Sequence, residues 1–151
     1  ADQMGFPIFP MNWNDPKTGE LAKGYKESGY LPEALINFLA LLGWNPGNDQ
    51  ELFSMDELIQ AFSLERINKA GARFDIQKAQ WFNQHYLRQQ SNEALAKAFV
   101  EELQKHNQTC DVVKAEKIMS IMKERITFVK DAWENGKFFF FTPEQYDTAV
   151  A

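Results

Sequence analysis

The sequence predicts a mainly α-helical fold, and three observations predict it. Apolar residues recur at spacings of three and four, as in Ala115, Ile118, Met122, Ile126, Val129 and Trp133. Helix-start signals recur as well: Pro32 at a first helical position, the Ser54-Met55-Asp56-Glu57 capping box, Asp75, and Ser91. Of the 151 residues, 44% are hydrophobic and 14% aromatic, enough apolar mass for a packed core and too much for wholesale disorder. The expected architecture is a helical region followed by a truncated all-α bundle, with a short extended N-terminal arm.

The elements follow in order. Residues 5–13 read GFPIFPMNW, where two prolines forbid a helix and the aromatics suggest an extended, packed segment. Asn14-Asp15-Pro16-Lys17-Thr18-Gly19 is a turn, with Pro16 presetting φ and Gly19 tolerating a positive one. Residues 1–23 therefore read as an arm or hairpin. Residues 25–28 make one helical turn closed by Gly29. From Pro32, Leu35, Phe38, Leu39 and Leu42 stand at helical spacing, with Ile36 and Leu41 on other sides, which predicts a helix buried nearly all round. Gly43 ends it, and Trp44-Asn45-Pro46-Gly47 turns the chain. The capping box opens a helix to about Phe62, and Ser63 caps a further short turn. Residues 68–75 form a loop containing Gly71, and Asp75 caps a helix to about Gln89.

Ser91 caps the next helix, to about His106, with Leu95, Phe99 and Leu103 inward. After a polar break at 107–109 the series from Ala115 to Trp133 reads as a further helical pattern, closed by Gly136. The four phenylalanines at 138–141 read as buried against a missing or folded-back element, and Pro143 starts a new one. The polar stretch 88–92 marks a boundary, giving regions 1–90, with the arm at 1–23, and 91–151. Ala1 and the stretch 148–151 read as cuts within a longer chain.

Composition narrows the function classes. No run approaches the ~20 apolar residues of a membrane span, and the stretch from Leu35 to Trp44 is interrupted by Asn37. No secretory pattern opens the chain. A single cysteine, Cys110, excludes an intramolecular disulfide and fits a cytoplasmic protein. With only His85 and His106 besides it, no Cys- or His-based metal site is expected. Catalytic signals are missing: Gly43 and Gly47 lack the phosphate-loop frame, no H-x-G-H signature occurs, and Asp56/Glu57 and Glu101/Glu102 sit where capping or solvation explains them. Cys110 has no triad-like histidine context. The formal charge of −5 argues against a general nucleic-acid binder, so any such binding must rest on a local basic face.

Such a face is legible in the helix after Asp75. At ~100° per residue, Ala79, Phe82 and Tyr86 fall together and should face the core. Lys78, Trp81, His85 and Arg88 fall within a narrow arc on another side. Cations neutralise phosphates and an indole offers a flat contact for ribose or base, the chemistry an RNA surface requires. The preceding loop adds Arg66, Lys69 and Arg73, with Gly71 permitting close backbone approach. The competing reading packs Trp81 on the N-terminal arm and leaves the charges merely solvated. The phenylalanine run is better explained as core or domain contact than as a stacking platform, because only Lys137 adjoins it.

The stretch from Gly29 to Trp44, GYLPEALINFLALLGW, resembles a signature segment of bacterial glutamyl-tRNA synthetases. The likeness continues through Phe53-Ser54-Met55-Asp56-Glu57-Leu58, Ala61-Phe62 and Lys69-Ala70-Gly71-Ala72-Arg73-Phe74-Asp75. Lys78, Trp81, Asn83 and Tyr86 then fall in an F-D-x-x-K-x-x-W-x-N-x-x-Y arrangement. It is strong over 24–88 and weaker through 122–127 to Phe141, Pro143 and Tyr146. The resemblance implies a class I ligase that activates glutamate with ATP and Mg²⁺ and transfers it to tRNA(Glu). The family's H-x-G-H and K-[LI]-S-K-R motifs lie upstream of the matching segment, and neither is present here. It further implies most of the stem-contact region and the first, all-helical part of the anticodon-binding region, with no catalytic residue and no cofactor of its own. The whole enzyme would be monomeric and cytoplasmic, with no membrane or DNA partner. Lys78 and Trp81 occupy the family's basic and aromatic positions, which favours the RNA-facing reading of that arc; His85 and Arg88 rest on the helix face alone. Residues 5–23 are longer than in many family members and look like a lineage-specific arm. A rival reading is an acidic all-helical adaptor that binds protein through an apolar groove, for which the phenylalanine run and the net charge speak; it predicts that residues 138–141 are shielded.

Overall fold

A computed structural model describes residues 7, 9–69, 71 and 73–141. The chain divides into two compact units, residues 1–89 and 90–151. Helices dominate both, and the described residues carry one small antiparallel sheet.

In the first unit β1 (Trp13–Asn14) pairs with β2 (Leu21–Ala22), Trp13 opposite Ala22. The hairpin closes as the turn chemistry predicts: Asp15 Oδ1 accepts from Lys17 N at 2.7 Å, and Gly19 has φ +74°. The arm is fastened to the start of α1 (Tyr25–Ser28). Tyr25 N donates to Phe9 O at 2.9 Å, Gly24 N to Asn12 Oδ1 at 2.8 Å, and Asn12 N to Glu27 Oε2 at 2.8 Å. A Cβ at Gly24 would overlap the Met11 backbone, so only glycine permits this approach.

Gly29, at φ +98°, ends α1, and Pro32 opens α2 (Pro32–Gly43). This helix is not buried all round. Ile36 and Leu39 are 41% and 44% exposed, while Asn37, in the middle of the apolar run, is wholly buried. The spacing of apolar residues missed this because Asn37 is the polar hub of the unit. Its Nδ2 donates to Glu51 O at 3.0 Å, and its Oδ1 accepts from Phe53 N at 2.8 Å and lies 2.6 Å from the Tyr86 hydroxyl. Glu51 and Phe53 belong to the loop before α3 (Met55–Ala61), which has a full Ser54–Glu57 capping box, and Tyr86 to α4 (Ile76–Gln89). One side chain thus ties α2 and α4 to the intervening loop. Phe38 packs edge-on against Phe74 at 4.8 Å and tilts against Phe82 at 6.0 Å, while Trp44, Phe53 and Leu58 make a second cluster. Trp44 bridges Ile67 in antiparallel fashion, fixing the 3₁₀ turn Leu64–Arg66 against the end of α2.

In the second unit α5 (Asn92–Lys105) starts at Ser91, whose Oγ accepts from Ala94 N at 3.1 Å. Its buried Leu95, Phe99 and Leu103 match the predicted inward face. The pattern read as continuing from Ala115 to Trp133 is two helices, α6 (Val112–Met122) and α7 (Val129–Gly136). Ile126 and Phe128 stay buried across the interruption, so apolar spacing alone could not show it. The physical signal was Asp131: its Oδ2 accepts from Thr127 N at 3.0 Å and Phe128 N at 2.8 Å, satisfying donors at the start of α7. α5 packs on both α6 and α7.

The phenylalanine run forms a short 3₁₀ turn, Lys137–Phe139, and is only half covered. Phe140 lies 5.9 Å from Trp133 and 6.3 Å from Phe99. Phe138 and Phe141 are 59% and 50% exposed, so among the described residues no folded-back element covers those two. Pro143 and Tyr146 lie outside the described residues.

Candidate functional site

The cationic face is built on α4. Asp75 starts it: its Oδ1 accepts from Gln77 N at 2.9 Å and Lys78 N at 3.2 Å, as the sequence predicted for an N-cap. Ala79, Phe82 and Tyr86 are buried on one side. That places Lys78, Trp81, His85 and Arg88 on the other, and Trp81 is 40% exposed. Packing of Trp81 into the protein interior is thereby excluded.

Three of these four residues touch one another. The Lys78 ammonium lies 4.5 Å from the centre of the Trp81 ring, within cation–π range. The His85 ring stacks near Trp81 at 5.8 Å with a 30° angle between planes, and Trp81 rests edge-on against buried Phe82 at 5.0 Å. The Lys78 and His85 contacts with Trp81 follow from spacings of three and four on one helix. Arg88 is exposed in the last turn of the same helix, where a cation also complements the helix dipole. Lys69 and Arg73 are exposed on the loop leading in. From 66 to 88 the sequence carries five Lys or Arg side chains against the single carboxylate Asp75, a local cationic tract within an acidic chain. Arg66 is used structurally, its Nη1 donating to Pro46 O beside the Gly47 turn.

Sequence reasoning missed Glu51. Its Oε1 lies 2.6 Å from Lys78 Nζ, both side chains being partly exposed at 49% and 38%. A solvent-screened pair of this kind contributes about 0–1 kcal/mol. No local spacing could reveal a partner 27 residues away. Glu51 also borders an open groove of about 470 Å³ whose walls include Trp44, Asn45, Asn48 and Asn68.

Other chemistry is not assembled. Among the described residues no three His, Cys, Asp or Glu side chains gather as a metal site, and no helix is long and apolar enough to cross a membrane. Burial pushes the half-buried Cys110 thiol above its ordinary range, which keeps it protonated and a poor nucleophile.

Residues 17–81 match the family described as tRNA synthetases class I (E and Q), catalytic domain. Glutamate–tRNA ligase from Phocaeicola vulgatus is 56% identical over 147 residues, 97% of this chain. The enzyme of the same name from Cytophaga hutchinsonii is 54% identical over the whole chain. Over nearly its whole length the chain is similar to one segment of these glutamate–tRNA ligases. It spans 29% of the length of these curated relatives. The crystal structure of glutamate–tRNA synthetase from Elizabethkingia anophelis superposes with a TM-score of 0.94 at 52% identity, covering 98% of this chain and 30% of that one. A glutamate–tRNA ligase from Elizabethkingia meningosepticum, solved with its amino acid, gives 0.92 at 51%, again covering 98% and 30%. The family match includes Lys69, Arg73, Lys78 and Trp81 and stops before His85 and Arg88. The synthetase homology and the helical architecture inferred from sequence thus both hold.

Proposed function

We propose that this chain is the tRNA-positioning part of a ligase that attaches glutamate to tRNA(Glu) using ATP. The observation that carries the reading is the half-exposed indole of Trp81, flanked by Lys78 and His85 on the solvent side of α4 and preceded by a basic loop. Lys69, Arg73, Lys78 and Arg88 contact phosphates, and Trp81 with His85 offers a surface to a sugar or base. Such contacts set the register of the tRNA and do not read its sequence. Residues 1–90 act as the stem-contact region and 91–151 as the first part of the anticodon-binding region. The whole enzyme is a cytoplasmic monomer with no membrane or DNA partner.

The residues of this segment do not fit an ATP or Mg²⁺ site. The sequence has no glycine-rich phosphate frame, and the described carboxylates do not cluster. Both belong elsewhere in the longer enzyme, and the contribution assigned to this chain is geometry. The rival adaptor reading predicts shielded phenylalanines at 138–141, which the exposure of Phe138 and Phe141 does not favour.

The test is an anisotropy titration of labelled tRNA(Glu) with the intact ligase at two salt concentrations. Lys78→Ala with Arg73→Ala is expected to weaken binding and flatten its salt dependence. Affinity and slope both unchanged in that double variant would remove the proposed face.

A further inference from the structure

Glu51 stands where an RNA-binding face should carry no negative charge. It is not on a loose loop. Its backbone carbonyl accepts from Asn37 Nδ2 at 3.0 Å, and Asn37 is fully buried. Two residues on, Phe53 N donates to Asn37 Oδ1 at 2.8 Å. The main chain that bears Glu51 is therefore anchored to α2, and its carboxylate is presented beside α4. There it meets Lys78 Nζ at 2.6 Å, while the same ammonium lies 4.5 Å from the Trp81 ring centre. A phosphate approaching Trp81 finds the nearest cation already holding an anionic oxygen.

We propose that Glu51 is an internal competitor for the phosphate that Lys78 binds, and so a determinant of affinity and selectivity. The proposal rests on the RNA-facing reading of α4 given above. A carboxylate and a phosphate diester each offer singly charged oxygens to the ammonium, and two such anions side by side repel. Binding thus exchanges one for the other. Glu51 is half exposed, so its carboxylate returns to water when displaced, and the screened pair opposes the exchange only weakly. An RNA that also engages Trp81 and the basic loop offsets this opposition. A polyanion with loosely placed phosphates does not, and Glu51 selects against it.

The experiment compares the intact ligase with Glu51→Gln, Lys78→Ala and the double variant, titrating labelled tRNA(Glu) and an unrelated duplex RNA at two salt concentrations. The Glu51→Gln change keeps the backbone carbonyl that Asn37 holds and removes only the charge. We expect Glu51→Gln to tighten tRNA binding about twofold to fivefold at the lower salt. The salt slope should change by less than about one ion, because Lys78 meets the same phosphate in both proteins. The gain should be larger for the unrelated RNA and vanish in the Lys78→Ala background. Glu51→Asp, which keeps the charge but withdraws it by one methylene, should fall between wild type and Glu51→Gln. If Lys78→Ala weakens binding while Glu51→Gln leaves it unchanged or weaker, the face stands and the competitor is overturned. If Lys78→Ala has no effect on tRNA binding, both the face and the competitor fall.

Discussion

Asn37 shows how much one buried amide can organise. Its oxygen accepts the Phe53 amide and lies 2.6 Å from the Tyr86 hydroxyl, which is also 2.6 Å from the Phe53 carbonyl oxygen. Truncation would leave the Phe53 amide and the Glu51 carbonyl, on the loop before α3, without that partner, and each such buried group costs about 1–3 kcal/mol. Asn37→Ala is therefore expected to lose about 2–4 kcal/mol of stability in a urea titration; a loss under about 0.5 kcal/mol would mean the network is dispensable. The buried phenols add a pH dependence. Desolvation pushes Tyr25, Tyr30 and Tyr86 above their ordinary value of 10.0. The folded state therefore keeps these protons more tightly than the unfolded chain. Their contribution is complete below pH 10 and falls as pH rises through the folded values. Melting temperatures measured above that point should decline less steeply in Tyr86→Phe than in wild type. Asn37 was visible in the sequence only as an interruption of an apolar run, since its partners lie 14 to 49 residues away.

Element boundaries were legible wherever a residue presets the backbone conformation or a side chain near in sequence satisfies the backbone. Gly29, Pro32, Ser54 with Glu57, Asp75 and Ser91 all act where spacing and residue type placed them. The hydrogen bonds of the Ser54 backbone and hydroxyl hold the Glu57 carboxyl below its usual range, the electrostatic mark of that cap. The break between α6 and α7 was illegible because burial continues through it. What marks it is the Asp131 carboxylate reaching back to the Thr127 and Phe128 amides, while the Asp131 amide donates to the Phe128 carbonyl at 3.0 Å. Asp131→Ala is expected to destabilise the second unit by about 1 kcal/mol, seen as a lower thermal midpoint. An unchanged midpoint would show that packing of Ile126 and Phe128 suffices to shape the corner.

Across the whole molecule, net charge and local charge point in opposite directions. The chain carries −5, yet residues 66–88 are cationic apart from Asp75. Counterion release depends on the cations that touch phosphates and not on the sum over the chain. On the proposed tRNA-facing role of α4, affinity for tRNA is expected to fall steeply with salt despite the acidic isoelectric point. Removing Lys78 and Arg73 should reduce the slope of log K against log salt by about two. A slope that stays the same would place the contacts elsewhere.

The sequence by itself determined the helical class, most caps and turns, the buried face of α4, and the arc that carries Lys78, Trp81 and His85. These depend on residues three or four apart, whose geometry a helix dictates. Only the tertiary structure decided that Asn37 is a hub, that α6 and α7 are separate, and that Glu51 occupies Lys78. Each of these is set by groups meeting across distant segments or by burial continuing through a bend, and no local period encodes either.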